Sequence, residues 1–164
     1  MEVTIRRATT DDIEQIAKLF DDYRVFFQQT SDLSAAKEFL SDRLRNSESI
    51  IFCAYTADSR YLGFAQLYPS FSSVSAKRVW ILNDLFVHKT ARGMGIGKKL
   101  LNELAVFSEE TQAKAILVET TISNTGAQKL YESNGYQKMS KRIFYERASK
   151  HNGMTSEELK TEEK

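Results

Sequence analysis

Leu82-Asn83-Asp84-Leu85-Phe86-Val87-His88-Lys89-Thr90-Ala91-Arg92-Gly93-Met94-Gly95-Ile96-Gly97-Lys98-Lys99 joins an apolar, strand-like run to a helical pattern through a turn with three glycines. A strand, glycine-rich turn and helix in this order offer unpaired backbone N–H groups to an anion, and phosphate is the obvious guest. Gly93, Gly95 and Gly97 let the backbone bend sharply and approach a pyrophosphate, while Arg92, Lys98 and Lys99 add positive charge around it. An isolated turn of this composition also suits an ordinary tight bend. A Walker A loop would need glycine where Arg92 stands and a hydroxyl where Lys99 stands, so that reading fails twice. A dinucleotide fingerprint fails as well, because neither Lys98 nor Leu100 supplies its third glycine.

Upstream, Val3 to Arg7 alternates as a short strand, and Thr9-Thr10-Asp11-Asp12 is an N-cap signature. The helix that starts there carries Ile13, Ile16, Ala17, Phe20, Tyr23 and Phe27 at spacings of three and four. A second helix starts near Ser31-Asp32, with Leu33, Ala36, Leu40 and Leu44 on its apolar side. Ser49 to Thr56 and Tyr61 to Tyr68 read as a hairpin turned by Ala57-Asp58-Ser59-Arg60. Pro69 opens a serine-rich loop reaching Ala76, and a third strand runs from Val79 to His88. Downstream of the turn, Ile96, Leu100, Leu101, Leu104 and Phe107 share one helical face, and Ala115 to Thr120 is a strand. Asn124 caps a last helix with Ala127, Leu130 and Tyr131 inward and Gly135 as its left-handed stop. Tyr136 to Met139 and Arg142 to Tyr145 are expected to close the fold as two short strands. The polar stretch 149–164 is expected to be a disordered tail or frayed helix, leaving 1–148 as a single domain.

Arg92-Gly93-Met94-Gly95-Ile96-Gly97 matches the pattern Q/R-x-x-G-x-G/A. Asn124, Ala127, Leu130-Tyr131-Glu132 and Gly135-Tyr136 match N-x-x-A-x-x-L-Y-x-x-x-G-F/Y. With these motifs and Leu82 to Val87 ahead of them, the chain from Val3 to Arg147 resembles the GNAT superfamily of N-acetyltransferases. It is similar to the branch that holds fungal histone, polyamine and D-amino-acid acetyltransferases and to diamine acetyltransferases. The resemblance implies an α/β (α+β) acyl-CoA N-acyltransferase fold: a mixed, mostly antiparallel sheet of about seven strands flanked by about four helices, in the order β-α-α-β-β-β-α-β-α-β-β. It also implies acetyl-CoA as co-substrate and a homodimer formed through the last strands.

Carried over residue by residue, the resemblance puts the pyrophosphate on backbone amides of Arg92, Gly93, Met94, Gly95, Ile96, Gly97 and Lys98. The pantetheine arm runs along Leu85, Phe86 and Val87 like an added strand, where the family's two central strands splay apart. Leu85 and Val87 would equally serve as core. Asn124 and Ala127 belong to the coenzyme-binding set, and Tyr131 matches the tyrosine that donates to the coenzyme sulfur. A phenol of pKa about 10 can protonate a thiolate whose conjugate acid lies near about 8.5. Beside Leu130 and Ala127, Tyr131 also suits a half-buried helix position. Asp84 is the candidate to accept the amine proton or to hold a cationic substrate, its plainer role being a strand-end carboxylate bonded to loop amides. Glu119 is the second candidate. Polyamine acetyltransferases carry Glu-Asp where this chain has Asn83-Asp84, which removes one of two carboxylates. The acceptor is expected near Tyr23 to Gln28, Ser31-Asp32 and Tyr68 to Ser72, with Tyr23, Phe27, Asn83 and Glu119 as substrate-binding candidates; these residues equally suit helix core and exposed loop.

The composition excludes several other classes. A length of 164 residues suits one domain, and 27 % charged with 41 % hydrophobic residues is a folding composition. A net charge of +1 gives no electrostatic case for nucleic acid. Cys53 is the sole cysteine, so an intramolecular disulfide is impossible and a reducing, cytoplasmic setting is expected. No leader or spanning segment is read in the sequence, so no membrane partner is expected. His88 and His151 lack neighbours at metal-ligand spacing, so no metal is expected. The expected reaction is acetyl transfer from acetyl-CoA to a primary amine of a small molecule by direct attack, since Cys53 lies mid-strand in apolar surroundings and is a poor nucleophile for a covalent route. A protein lysine or N-terminal acetyltransferase and a non-catalytic acyl-CoA-binding module are the alternatives.

Overall fold

The computed structural model describes residues 2–147. Five strands, β1 (Val3–Arg7), β2 (Ile50–Thr56), β3 (Tyr61–Ser72), β4 (Lys77–Val87) and β5 (Ile116–Val118), form one sheet in sequence order. The first four are antiparallel, and β5 joins β4 in parallel. The helices are α1 (Ile13–Phe26), α2 (Leu33–Arg45), α3 (Ile96–Glu110) and α4 (Thr125–Glu132). The chain gathers into two compact units: one reaches to Glu119 and holds the sheet with α1, α2 and α3, and the other starts at Thr120 and holds α4.

Side-chain alternation assigns the faces of the first unit. Ile51 and Cys53 of β2 pack with Ile16, Ala17, Phe20, Ala36 and Leu40, so α1 and α2 cover that face. Phe52, of opposite parity, meets Phe107 of α3 with ring centroids 5.5 Å apart on the other face. In β4, Trp80 lies against Phe107 (5.1 Å) whereas Phe86 lies against Tyr23 (6.1 Å), although both are even-numbered positions of one strand. The register explains the reversal. Gln66 pairs with Asp84 but Leu67 pairs with Leu82, so Asn83 is an extra residue, a β-bulge that switches the sides on which later side chains emerge. Asp84 and Phe86 thereby join the α1 face.

Local chemistry explains the element boundaries. A 3₁₀ turn over Thr10–Asp12 precedes α1, and the Asp12 carboxylate accepts from the Thr9 amide (2.8 Å) and from both terminal nitrogens of Arg6 (2.6 and 2.8 Å). Burial opposes the charge on Asp12, but these donors and the Tyr61 hydroxyl outweigh it and hold its pKa well below the usual carboxylate range. Asp32 caps α2 by accepting from the Ala35 amide at 2.9 Å.

Three expectations need correction. Among the described residues the sheet has five strands rather than about seven: residues 136–139 and 142–145 form no strand, and Ile143, Phe144 and Tyr145 are exposed. An apolar pattern becomes a strand only where a partner supplies its hydrogen-bond ladder, and among the described residues this segment has none. Pro69 does not open a loop but lies within β3 opposite Trp80, since β2 starts at Ile50, opposite Leu67, and from Tyr68 onward β3 is an edge on that side with no neighbour needing a proline N–H. The strand expected to end at Thr120 stops at Val118. The tail 149–164 and His151 lie outside the described residues.

Candidate active site

The turn between β4 and α3 has the backbone of an anion cradle. Gly93 and Gly95 adopt φ of +79° and +74°, and Gly95 is the N-cap of α3. A Cβ at either position would meet nothing within 4 Å, so the left-handed conformation, not crowding, demands glycine there. The first intrahelical bond of α3 runs from the Lys99 amide to the Gly95 carbonyl (3.0 Å), which leaves the amides of Ile96, Gly97 and Lys98 ahead of the ladder at the positive end of the helix. The Arg92 side chain is engaged within the protein. Its Nε donates to the Val87 carbonyl at 3.1 Å, and its guanidinium rests over the rings of Phe26 (5.5 Å) and Phe86 (5.8 Å), so it braces the turn against β4 and α1.

β4 leads into this turn with one edge open. Its parallel pairing with β5 covers Trp80, Ile81 and Leu82 and then stops, while on its other side pairing with β3 continues through Val87. From Asn83 to Val87, therefore, β4 has no ladder partner on the β5 side among the described residues. Leu85 and Val87 are half-buried and Phe86 is buried.

Beside that edge, between α1, α2 and β4, lies a cavity of about 290 Å³ lined by Phe20, Tyr23, Phe39, Tyr68, Asn83 and Asp84, among others. Asp84 is 3 % exposed and accepts from Gln66 Nε2 (2.6 Å), from Asn83 Nδ2 (3.2 Å) and from Tyr23. Burial raises its pKa against the pull of these three donors, so the carboxylate is a stronger base than an exposed aspartate. Gln66 Nε2 also donates to the Tyr68 hydroxyl (3.1 Å), whose pKa burial and then the Asp84 charge push up to about 12. Gln66 Oε1 is buried without a hydrogen-bond partner among the described residues. Phe27 packs edge-on to Tyr23 (4.9 Å) and does not line the cavity. Glu119 is exposed one residue past β5 and is not among the residues that line the cavity.

In the second unit, the Asn124 side chain caps α4 by accepting from the Ala127 amide at 3.2 Å, and Gly135 ends the segment at φ +86°. Tyr131 is half-buried, and burial raises its pKa. Its ring lies 5.6 Å from that of Tyr136, whose own pKa is pushed up to about 12 by burial and by Tyr131, and whose hydroxyl is buried without a partner among the described residues.

Sequence reasoning missed Gln66 and Tyr136 as members of these clusters, and named Tyr68 only as the start of the stretch expected near the acceptor. Gln66 left a signal, being the one amide-bearing side chain inside the otherwise apolar run Tyr61 to Tyr68. Among the described residues no group of three or more His, Cys, Asp or Glu side chains could hold a metal ion, and no helix is long and apolar enough to cross a membrane.

The chain matches the model of the family described as Acetyltransferase (GNAT) family over residues 13–136. A protein of Bacillus subtilis (strain 168) named Uncharacterized N-acetyltransferase YhfO is 45 % identical over 143 residues, covering 87 % of this chain and 95 % of its own. A crystal structure of a probable acetyltransferase superposes with a TM-score of 0.85 at 40 % identity, covering 89 % of this chain and 97 % of that one. More distant is the D-amino-acid N-acetyltransferase HPA3 of Saccharomyces cerevisiae (strain ATCC 204508 / S288c), 25 % identical over 149 residues, with 88 % of this chain and 90 % of that protein covered.

Proposed function

The chain belongs to the acetyltransferase (GNAT) family and is an acetyl-CoA-dependent N-acetyltransferase, and on that footing we propose that its acceptor is a primary amine of a small molecule, acetylated by direct attack. The observation that carries this reading is the open edge of β4 from Asn83 to Val87, leading straight into a turn that presents the amides of Ile96, Gly97 and Lys98. A strand edge suits an extended amide-containing arm, and a helix mouth suits a diphosphate; acetyl-CoA carries both in that order. The residues present therefore fit the co-substrate. Leu85, Phe86 and Val87 would hold the pantetheine arm, and the amides from Arg92 to Lys98 the pyrophosphate. Asn124 and Ala127 complete the coenzyme set.

The acceptor amine enters the cavity beside Asp84. Its nitrogen forms a bond to the thioester carbonyl carbon, and the carbon–sulfur bond breaks. Asp84, made more basic by burial, takes the proton that the nitrogen must shed, and Tyr131 gives a proton to the departing sulfur before solvent restores it. A backbone N–H on the free β4 edge near Val87 steadies the negative charge that grows on the carbonyl oxygen. Tyr23 and Asn83 orient the acceptor through the hydrogen bonds they already make to Asp84, and Phe27 backs Tyr23. Cys53 takes no part: it is buried, and burial pushes its thiol up to about 11, which keeps it protonated and unreactive.

The test is thiol release from acetyl-CoA across panels of polyamines, amino acids, aminoglycosides and peptides, paired with calorimetry for coenzyme A. Turnover with one class of small amine supports the proposal. Turnover confined to peptides would move the acceptor to protein, and the absence of heat with coenzyme A would refute the reading of the turn.

A further inference from the structure

At the opposite end of β4 from the turn lies a second cleft, of about 440 Å³, which the acetyl-transfer reading does not use. It opens where β2 ends at Ile50 while the β3–β4 ladder runs on to Ser72 and Lys77. Arg78 to Val87 is nine residue steps along the strand, so the cleft stands roughly 25–30 Å from the coenzyme turn. We propose that this cleft binds a small organic anion, one or more carboxylate or phosphate groups carried on a flat apolar body.

Three features point to that chemistry. Arg7, at the end of β1, and Arg78, near the start of β4, both line the cleft, and among the described residues neither has a carboxylate within ion-pair distance. Each guanidinium is held over aromatic faces, Arg7 over Phe107 (6.0 Å) and Arg78 over Phe71 (4.7 Å) and Trp80 (5.0 Å). This stacking fixes the planes of the two forks while leaving their N–H groups to face an oxyanion. The second feature is the flat floor. Trp80 is buried and its Nε1 donates to Thr111 Oγ1 at 2.9 Å, while Thr111 Oγ1 donates to the Phe107 carbonyl at 2.9 Å, so the indole is locked in place with exposed Phe71 beside it. The third is Ser49. It lines the cleft, is 3 % exposed, and its hydroxyl is buried with no partner among the described residues. A buried hydroxyl without a partner is costly, and an anionic oxygen entering from the cleft would supply the missing acceptor. Two unpaired cations, a fixed aromatic floor and an unsatisfied donor together describe a receptor for an aromatic anion.

The chain has a single tryptophan, Trp80, so its fluorescence reports on this cleft alone. Phenyl phosphate and phthalate are titrated as probes, with inorganic phosphate supplying charge without a body and benzyl alcohol a body without charge. The expected result is a saturable fluorescence change with one or both aromatic anions, the better probe distinguishing phosphate from carboxylate recognition. Both controls should bind at least about tenfold more weakly, and Arg7→Gln or Arg78→Gln should each weaken binding by about tenfold. Arg7→Lys and Arg78→Lys keep the charge and stem, and they should still weaken it because the planar fork is lost. Coenzyme A affinity should stay unchanged in all four variants, which shows that they are folded and separates this site from the turn. No saturable change, an equal response to inorganic phosphate, or undiminished affinity in the Arg7→Gln/Arg78→Gln double variant would overturn the proposal.

Discussion

Replacing Asp84 by asparagine should damage catalysis and at the same time stabilise the fold. The carboxylate is 3 % exposed, and its pKa is raised by burial despite donors from Gln66, Tyr23 and Asn83. A group whose folded pKa lies above its unfolded value near about 3.9 contributes stability that is fully present below that value and is lost as pH rises through the folded pKa. Each unit of upward shift thus costs about 1.4 kcal/mol at neutral pH, and about 1 kcal/mol moves the melting temperature of a domain this size by roughly 2–4 °C. Asparagine is nearly isosteric, keeps an oxygen to accept from Gln66 Nε2, and carries no charge to desolvate. The melting temperature of Asp84→Asn should therefore exceed that of the parent by a few degrees at pH 8, with the gain fading as pH approaches about 4. Loss of a positioned base should lower kcat/KM by about 10²- to 10⁴-fold, which is about 2.7–5.4 kcal/mol of barrier. The pH profile of the parent should show an acid limb above the ordinary carboxylate range, absent from the variant, while a limb belonging to the amine itself persists in both. Thermal melts from pH 3.5 to 8 and thiol-release kinetics over the accessible range measure both arms. Unchanged kcat/KM with the acid limb intact would remove Asp84 from the chemistry, and an equal fall in melting temperature at every pH would refute the account of its buried charge.

Tyr131→Phe keeps the ring against Tyr136 and removes only the hydroxyl, so single-turnover rates should fall about 10²- to 10⁴-fold while calorimetry finds coenzyme A affinity within a few-fold of the parent. Gly95→Ala forces a Cβ into φ +74° and should cost about 1–2 kcal/mol in urea melts, with weaker coenzyme A binding, even though the added methyl would touch nothing within 4 Å. Cys53, buried and with its pKa pushed up to about 11, should resist a disulfide reagent at pH 8 until denaturant is added; rapid labelling of the native protein would contradict the packing of α1 and α2 over β2.

Much of this fold was legible because its elements obey local rules. The caps at Asp32 and Asn124, the left-handed Gly135 and the apolar stripe of α3 were all readable from spacing and residue type. The glycine turn was legible for the same reason, since φ near +75° is written in the sequence as glycine. What escaped notice depends on partners distant in sequence. Pro69 reads as a breaker until β2 is known to end opposite Leu67, and the closing strands read as strands until no ladder is found for them. The Gln66, Tyr68 and Asp84 cluster arises from cross-strand register, which hydrophobic pattern alone does not define at a bulge. The charge of Arg92 is visible in the sequence, while the carbonyl and the two rings that engage its side chain are not.

The extra residue at Asn83 gives β4 a property that matters to anyone altering the gene. Deleting the codon for 83 would take out the supernumerary residue itself and leave Leu82 opposite Leu67 and Asp84 opposite Gln66, each on its present side, so the loss would fall on the Asn83 side chain alone. Duplications in the hairpin at 57–60 or the bend at 73–76 should be absorbed by solvent. Within β4 an added residue that slips the ladder by one would exchange inside for outside, so a saturation library should find insertions in this strand far more damaging than the deletion of codon 83.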